Sequence, residues 1–271
     1  MTGDEEIPLA GGNVSGAVRV GDTVRRPTGP WTPAVHAVLG HLAGRLPHVP
    51  EVFGIDERGR EILTFLPGEI VDIDSAVLTP GQLASLTGWT RRLHEAVAGF
   101  WHDGPWRCFP VEHPSVIGHN DIAPYNACFD GDELVGVFDW DLAGPSTPLD
   151  ELAFIAWNGV PLWRDVGPQE TAARLEIIAS AYDGPTAGEI LAAVPGRVQI
   201  VIDGIPAAAA AGDPGMANLM AIGEAERSGQ SLDALQDRLP AIATALRDIS
   251  GPAHVCSARA AVPIRRNPMP S

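Results

Sequence analysis

The sequence predicts an α+β fold of two lobes, a small sheet-rich lobe followed by a larger and mainly helical one. Two observations predict this division. Short strand-like segments separated by turn signals fill the first ~70 residues, whereas Ala-rich helical segments fill most of residues 150–249. Pro67-Gly68 separates the two patterns. We therefore predict lobes at 1–68 and 69–250, followed by a flexible tail at 251–271 that has no periodic pattern.

The small lobe is predicted as a sheet of short strands that carries one helix. The strands are expected at residues 5–9, 16–20, 22–26, 51–56 and 60–66. Gly21-Asp22 and Glu57-Arg58-Gly59 supply the turns of two hairpins. Thr32-Pro33 has the pattern of an N-cap followed by proline in the first turn, and it predicts a helix over 32–44.

The larger lobe is predicted to be helical around a central segment of loops and strands. An apolar stripe at helical spacing predicts a helix over 80–100. Residues 127–129 and 134–138 have the pattern of a hairpin around Asp130-Gly131-Asp132. Asp213-Pro214 marks the start of a later helix, because aspartate caps a helix and proline fits its first turn.

The composition excludes several kinds of function. The formal net charge is −16, and all 18 basic residues are arginine. Nucleic acids and anionic membranes attract basic proteins, so we expect neither as a partner. No apolar run approaches the ~18 residues of a membrane-spanning helix, and the acidic N-terminus lacks the pattern of a signal peptide. The three cysteines form no CxxC pair, which predicts a reduced, cytoplasmic protein without structural zinc.

The stretch 119–145 carries the polar pattern that indicates chemistry. It contains HNDIAPYN, which fits H-x-D-x-x-x-x-N, and then FDWDLAGP after the predicted hairpin. In this motif the aspartate, here Asp121, accepts the proton of a substrate hydroxyl, and the asparagine, here Asn126, binds Mg²⁺. Asp139 follows an apolar strand, where its carboxylate is expected to reach a metal that Asn126 holds. The pattern predicts phosphoryl transfer.

Two other interpretations compete with this one. The asparagine and Asp130 can serve as turn residues while the other two aspartates cap backbone N–H groups, but this leaves the ordered arrangement unexplained. A metal cluster is the second interpretation, and its candidate ligands are His102, Cys108, His113 and His119. These residues lack the ligand spacing of zinc sites, so we do not expect one.

The motifs resemble those of the aminoglycoside phosphotransferase-like enzymes, a branch of the protein-kinase-like fold that also contains choline and homoserine kinases. The resemblance extends from GGNVSGAVRVGDTVRRP through TFLPGE and HNDIAPYN to FDWDLAGP, and the last two motifs are the specific ones. It implies a two-lobed protein-kinase-like fold with a small antiparallel-sheet N-lobe and a larger helical C-lobe. It also implies ATP or GTP as phosphoryl donor and Mg²⁺ as cofactor.

Carried over residue by residue, the resemblance assigns roles in the larger lobe. Asp121 matches the catalytic aspartate, and His119 matches the histidine that opens the catalytic loop, which more often supports the loop than does chemistry. Asn126 matches a metal ligand, and Asp139 matches the aspartate of the D-F-G equivalent. Asp141 either supports the metal site or serves as an N-cap or turn acid.

The small lobe offers two groups of candidate nucleotide ligands. Gly12 and Ser15 lie in a glycine-rich turn between the first two strands, which is either a phosphate-binding loop or a plain turn. The family carries a phosphate-binding lysine on its third strand, whereas this sequence has Arg25 and Arg26 there. Either arginine can bind phosphate through its planar fork, and the other is expected to be a solvated charge.

The resemblance also places the hinge between the lobes and shows one departure. Thr64, Phe65 and Leu66 match the hinge that borders the adenine ring, which is compatible with their being core strand. The helix over 32–44 should supply a glutamate to pair with the basic residue, but it contains no acid. Glu151 falls where the family usually has aspartate, and we expect it to form structural hydrogen bonds.

The sequence therefore predicts a Mg²⁺-dependent kinase that transfers the terminal phosphoryl group of a nucleoside triphosphate to a hydroxyl of a small molecule. The acidic composition favours an amine-bearing acceptor, such as an aminoglycoside, over an anionic one. The alternative is a catalytically silent kinase-like protein that binds a ligand or partner, for instance in immunity to a toxin. The absent lysine and glutamate favour this alternative, whereas the intact set of Asp121, Asn126 and Asp139 opposes it.

Overall fold

The computed structural model describes residues 5–9, 16–73 and 75–250. These residues form ten β-strands and seven α-helices, arranged as a small sheet-rich lobe and a larger helical lobe. The predicted α+β fold is confirmed. The predicted tail at 251–271 lies outside the described residues, as do Gly12 and Ser15 of the glycine-rich turn.

The small lobe is built on a five-stranded antiparallel sheet. Its strands, in chain order, are β1 (Ile7–Pro8), β2 (Val18–Val20), β3 (Thr23–Pro27), β4 (Val52–Ile55) and β5 (Arg60–Thr64). In space the order is β1-β2-β3-β5-β4, so β3 pairs with β5 and places Arg26 directly opposite Glu61. Helix α1 (Thr32–Leu42) buries an apolar face that contains Val35, Val38 and Leu39.

The cap of α1 differs from the sequence prediction. Trp31, not Thr32, is the N-cap residue, and no side chain caps this helix. The Thr32 hydroxyl instead accepts a hydrogen bond from the Gly29 N–H at 2.9 Å, which closes the turn before the helix. Pro33 does lie in the first helical turn, where its missing N–H is not needed.

Strands of the larger lobe form two small sheets around the predicted catalytic segment. Strand β6 (Glu69–Ile70) pairs with β8 (Ala127–Asp130), and β8 forms the predicted hairpin with β9 (Glu133–Val137). Strand β7 (Val116–Gly118) pairs with β10 (Gly144–Ser146). These pairings bring both ends of the catalytic segment together, because β7 precedes the catalytic loop and β10 follows Asp139.

The helices of the larger lobe are α2 (Pro80–Ala96), α3 (Pro148–Gly159), α4 (Pro168–Tyr182), α5 (Ala187–Ala210), α6 (Pro214–Ala221) and α7 (Glu224–Ser250). Helix α2 ends four residues earlier than predicted and begins with a capping box between Thr79 and Gln82. Asp213 caps α6 as predicted, since its carboxylate accepts the N–H groups of Gly215 and Met216.

Helix α5 is the one helix among the described residues that is long and apolar enough to cross a membrane by length and composition. The sequence prediction that no apolar run approaches the length of a membrane-spanning helix is therefore wrong for α5. In this fold α5 packs against α3, α6 and α7. It also buries the Arg197 side chain, whose guanidinium donates a hydrogen bond to the catalytic loop.

Candidate active site

The catalytic loop joins β7 to β8, and a buried carboxylate holds its first residues. The two oxygens of Glu151, on α3, accept the backbone N–H groups of His119 at 2.9 Å and Asn120 at 2.7 Å. Glu151 is 1% exposed. Gly118 permits this approach, because a Cβ atom there would lie 2.7 Å from the Glu151 carboxyl carbon. The structural role predicted for Glu151 is confirmed.

A buried arginine that the sequence analysis missed holds the same turn from the other side. Arg197 of α5 donates to the Asn120 carbonyl at 2.7 Å. Asn120 has φ of 64°, a left-handed conformation that costs a non-glycine residue on the order of 1 kcal/mol. Its side-chain amide donates to the Gly144 carbonyl at 3.1 Å. A lone arginine in an apolar helical stretch is the sequence signal that could have identified Arg197.

His119 supports the loop through both of its ring nitrogens. Its Nε2 lies 3.0 Å from the Phe138 carbonyl, so this nitrogen carries the hydrogen, and Nδ1 accepts the Asp121 N–H at 3.3 Å. The ring is fully buried and packs edge-on against Trp140. Burial lowers the pKa of His119, which keeps the ring neutral. The geometry therefore favours a role for His119 in supporting the loop over a direct role in the chemistry.

Asp121 lies at the centre of the loop with both carboxylate oxygens hydrogen-bonded. Oδ1 accepts from the Tyr125 hydroxyl at 3.1 Å, and Oδ2 accepts from Asn126 Nδ2 at 2.8 Å. Burial, together with the nearby charge of Asp139, raises the pKa of Asp121 to about 7. A carboxylate with this pKa can accept a proton near neutral pH.

Asn126 and Asp139 are held side by side by the hairpin. The Phe138 N–H donates to the Asn126 carbonyl at 3.0 Å, so Asp139 follows one residue beyond this pairing. Asn126 Nδ2 donates to the carbonyl and carboxylate of Asp121, which turns the amide oxygen away from that residue. Asp139 has φ of 60°, another strained left-handed conformation.

These two side chains fit a magnesium ion. Within the described part of the chain, no hydrogen bond reaches Asn126 Oδ1, and one oxygen of Asp139 accepts from Arg26 while the side chain is 36% exposed. Among the described residues, no group of three histidine, cysteine or acidic side chains could hold a metal ion. Mg²⁺ suits this arrangement, since it commonly takes one or two protein oxygens together with phosphates and water.

The structure distinguishes between the two candidate arginines on β3. Arg25 points away from the acidic residues, and its Nη1 donates to the Thr23 hydroxyl at 2.5 Å. Arg26 is 7% exposed, and its Nη1 lies 3.0 Å from Asp139 Oδ1, while its Nη2 forms an ion pair with Asp141. Because successive residues of a strand face opposite sides, only one of two adjacent arginines can reach Asp139 and Asp141.

The acid that α1 lacks is supplied by the neighbouring strand. Arg26 Nε lies 2.7 Å from Glu61 Oε1, an ion pair that is not aligned as a hydrogen bond. His36 of α1 contacts the other oxygen, with Nε2 2.8 Å from Glu61 Oε2. Glu61 is 3% exposed. We refer to Arg26, Glu61, His36, Asp139 and Asp141 as the Arg26 cluster.

Arg107 connects this cluster to the helical lobe. Its guanidinium forms two hydrogen bonds of 2.7 Å with Asp213 and a third, of 3.1 Å, with Asp141. It also lies over the Trp31 ring, 4.5 Å from the centroid. Asp141 therefore bridges two arginines, which favours its supporting role over a simple turn role. The sequence analysis missed Arg107 because it lies in a segment with no periodic pattern.

The predicted hinge residues lie where the chain leaves the small sheet. Thr64 ends β5, and the Phe65 N–H donates to the Asp22 carbonyl at 2.9 Å. The Arg19 guanidinium lies over the Phe65 ring at 3.9 Å. Leu66 then leads toward β6, which already pairs with β8 of the larger lobe. Their contact with an adenine ring stays a prediction.

Comparison with known proteins agrees with this geometry. The model of the phosphotransferase enzyme family matches residues 98–190, which include the catalytic loop and Asp139. The chain is also 36% identical over 172 residues to the trifolitoxin immunity protein of Rhizobium leguminosarum bv. trifolii. That alignment covers 60% of this chain and 65% of the length of that protein.

Solved structures share the fold at low sequence identity. A choline/ethanolamine kinase family protein from Mesorhizobium loti gives a TM-score of 0.57 at 17% identity, over 90% of this chain and 92% of that chain. The gentamicin complex of APH(2″)-IIa gives a TM-score of 0.55 at 13% identity, over 84% and 90% of the two chains. The fold is therefore kinase-like. The predicted resemblance to the aminoglycoside phosphotransferase-like enzymes is confirmed.

Proposed function

We propose that this protein transfers the terminal phosphoryl group of a nucleoside triphosphate to a hydroxyl group of a small molecule. The observation that carries the proposal is the convergence of Asp121, Asn126 and Asp139 beside the buried Arg26. A proton acceptor, two oxygen ligands for a metal and a cation for phosphate are the parts that phosphoryl transfer requires. They come from both lobes, as expected for a site in the cleft between them.

Each of these residues has a role that follows from its contacts. Asp121 orients the acceptor hydroxyl and takes its proton, since its pKa of about 7 matches the working pH of a general base. Asn126 and Asp139 would hold Mg²⁺, which neutralises charge on the transferring phosphoryl group when it is bound. The two outer nitrogens of Arg26 bind phosphate oxygens in the place of the family lysine.

The donor is ATP or GTP, and the protein is expected to act in the cytoplasm. The glycine-rich turn with Gly12 and Ser15 and the hinge at Thr64, Phe65 and Leu66 are the proposed contacts for its phosphates and base. The few, scattered cysteines of the sequence support the compartment, because secreted domains of this kind more often carry a disulfide framework.

An amine-bearing acceptor fits the charge around the catalytic loop. Glu224, at the start of α7, and Asp139 both help to raise the pKa of Tyr125, after burial and Asp121. Asp139 also raises the pKa of Asp121, so it places negative potential beside that residue. The named ligand of one structural neighbour, gentamicin, is consistent with this class of acceptor.

The acceptor proposal is tested by ionic strength. The value of kcat/KM for an amine-bearing alcohol should exceed that of its neutral analogue and should fall as salt rises, because exposed charges more than ~8 Å apart are screened at physiological salt. Equal values for the two acceptors, insensitive to salt, would show that the net charge serves solubility alone.

A silent binding protein is the second candidate, and two observations favour it. The relative with 36% identity is an immunity protein. In addition, both oxygens of Asp121 and all three nitrogens of Arg26 already have partners within the chain. A binder of this kind would use the cleft or another surface to hold a ligand without transferring phosphate.

A transfer screen separates the two candidates. Purified protein is incubated with Mg²⁺ and ATP or GTP against a panel of hydroxylated amines and neutral analogues, and phosphorylated products are detected by mass spectrometry. Asp121→Ala should lower the turnover rate by ~10²-fold or more while nucleotide affinity is kept. Wild-type protein that binds Mg²⁺-nucleotide and phosphorylates nothing in the panel would favour the silent binder.

A further inference from the structure

We propose that Glu61 and His36 are positioning residues that orient Arg26 toward the phosphates of a bound nucleotide. The inference deepens the proposed function and depends on its nucleotide site. Here two adjacent strands supply both members of the ion pair. In protein kinases, a lysine on the third strand pairs with a glutamate on a helix.

The nitrogens of Arg26 divide into an inner and an outer group. The inner nitrogen, Nε, contacts Glu61 Oε1 at 2.7 Å. The outer nitrogens, Nη1 and Nη2, contact Asp139 and Asp141 of the catalytic segment. A planar guanidinium that is anchored through Nε presents both Nη groups in one direction. That direction is toward the candidate metal site, where the phosphates of a nucleotide would lie.

Glu61 is itself fixed by two independent contacts. Its backbone lies opposite Arg26 in the β3–β5 ladder, so the two side chains emerge on the same face of the sheet. His36 holds the second carboxylate oxygen at 2.8 Å from helix α1. The side chain of Glu61 is 4% exposed and that of His36 is 19% exposed. The carboxylate therefore has little freedom to leave the arginine.

The charges explain why such an anchor is needed. Arg26 has three carboxylates around it, and two of them lie on the catalytic segment. An arginine without an inner anchor would turn fully toward those two carboxylates. With Glu61 holding Nε, the outer nitrogens can exchange Asp139 for a phosphate when Asp139 turns to a metal. The inner contact does not change in this exchange.

The experiment measures binding of adenosine and of Mg²⁺-ATP separately by isothermal titration calorimetry. Glu61→Gln keeps the size of the side chain and removes its charge. We expect it to weaken Mg²⁺-ATP binding roughly tenfold, the scale of one charge-assisted contact, and to leave adenosine binding within about twofold. His36→Gln should weaken Mg²⁺-ATP binding by a smaller factor, roughly threefold, again without affecting adenosine.

Two matched variants control for general damage to the sheet. Glu51→Gln removes a charge from an exposed residue of the same lobe, and Arg25→Met removes the neighbouring arginine that faces away from the cluster. Both should leave the two affinities within about twofold of wild type, whereas Arg26→Met should lose at least tenfold for Mg²⁺-ATP. Melting temperatures verify that each variant is folded.

The results separate this inference from the proposed function. Unchanged Mg²⁺-ATP affinity in Glu61→Gln, or an equal loss for adenosine and Mg²⁺-ATP, would overturn the positioning role while the nucleotide site stands. A wild-type protein that binds neither of these ligands, nor guanosine and Mg²⁺-GTP, would overturn the nucleotide site and this inference together. Selective loss for Mg²⁺-ATP supports the positioning role even if no acceptor is phosphorylated.

Discussion

The catalytic loop and the Arg26 cluster are both buried and polar, but they are held in different ways. Glu151 and Arg197 hold the loop through its backbone, by binding the N–H and carbonyl groups of Asn120 and its neighbour. Arg26 is held through side chains alone, by carboxylates on β5 and on the catalytic segment. The first arrangement fixes a scaffold. The second can change partners.

This difference matches the roles that we propose for the two regions. A catalytic loop must keep its base at one position, and removing a buried partner of its backbone would leave polar groups unpaired. A phosphate-binding arginine must release one anion to accept another, which contacts between flexible side chains permit. The site therefore combines a rigid half in the larger lobe with an exchangeable half contributed mainly by the smaller one.

The largest expected effect comes from breaking the rigid half. Glu151→Ala should reduce the free energy of unfolding by ~3 kcal/mol, because two buried backbone N–H groups lose their acceptor. Burial acts to raise the pKa of Glu151, but His94 and the backbone N–H of His119 lower it overall, so the carboxylate is ionised in the wild type. Urea denaturation measures the loss.

The matched control for this variant is Glu95→Ala. Glu95 is an exposed acid on α2 that pairs with Arg91, and its side chain is 61% exposed. Its removal should change stability by less than ~0.5 kcal/mol. A Glu151→Ala protein as stable as this control would show that the loop is held by something other than the buried carboxylate.

The next effect tests the exchangeable half through its metal ligand. Nucleotide with Mg²⁺ should raise the melting temperature of the wild type more than nucleotide alone, because a ligand that binds only the folded state stabilises it by mass action. Asp139→Asn should abolish the extra increase and leave the fold intact. Thermal scans with and without Mg²⁺ measure it, and equal shifts in the wild type would rule out the metal assignment.

A smaller effect concerns the free energy of unfolding, which the ionisation of Asp121 in the loop lowers. Its pKa rises from 3.8 to about 7 on folding, so the folded state disfavours the ionised form. The resulting loss of folding stability is absent below pH ~4, where Asp121 is protonated in both the folded and the unfolded state. The loss grows between pH 4 and 7 and is complete above that range. The melting temperature of Asp121→Asn relative to wild type should therefore increase by several degrees from pH 4 to pH 8. A constant difference would contradict the raised pKa.

The smallest effect compares the two tyrosines of the chain. Tyr125 donates to Asp121 at 3.1 Å, whereas Tyr182 contacts His94 Nδ1 at 2.8 Å within the helical scaffold. Tyr125→Phe should lower kcat a few-fold with little change in stability, because the catalytic carboxylate loses one donor. Tyr182→Phe should cost ~1 kcal/mol of stability and leave kcat unchanged. Steady-state kinetics and denaturation of both variants measure the contrast. A kcat of Tyr125→Phe equal to that of the wild type would show that Tyr125 does not take part in the site.

The elements predicted from local pattern were those with strong local signals. The hairpin around Asp130-Gly131-Asp132 and the helix start at Asp213 agree with the structure within a residue or two. The boundaries that failed depended on the turns beside each helix. Helix α2 ends at Ala96, and Thr32 gave up its capping position to a bond with Gly29. A threonine before a proline indicates a cap locally, but the preceding turn decides which N–H its hydroxyl meets.

The residues of the candidate site differ in whether the local sequence identifies them. Asp121, Asn126 and Asp139 were identifiable because the motif that contains them is continuous or nearly so. Glu61, Arg197 and Arg107 were not, because each meets its partners from 25 or more positions away, as from His36 to Glu61 or from Asn120 to Arg197. Sequence order carries no signal of such pairs unless the strand pairing and helix packing are known.

The sequence by itself determined the fold class, the candidate catalytic segment and the absence of an acid from α1. Each of these features depends on residues that are near one another in the chain, where their spacing alone restricts the conformations of the backbone and the contacts of the side chains. The tertiary structure decided which arginine faces the cleft and where the missing carboxylate comes from. It did so because the β3–β5 pairing puts Arg26 and Glu61 on one buried face, and a buried charge is stable only beside an opposite one.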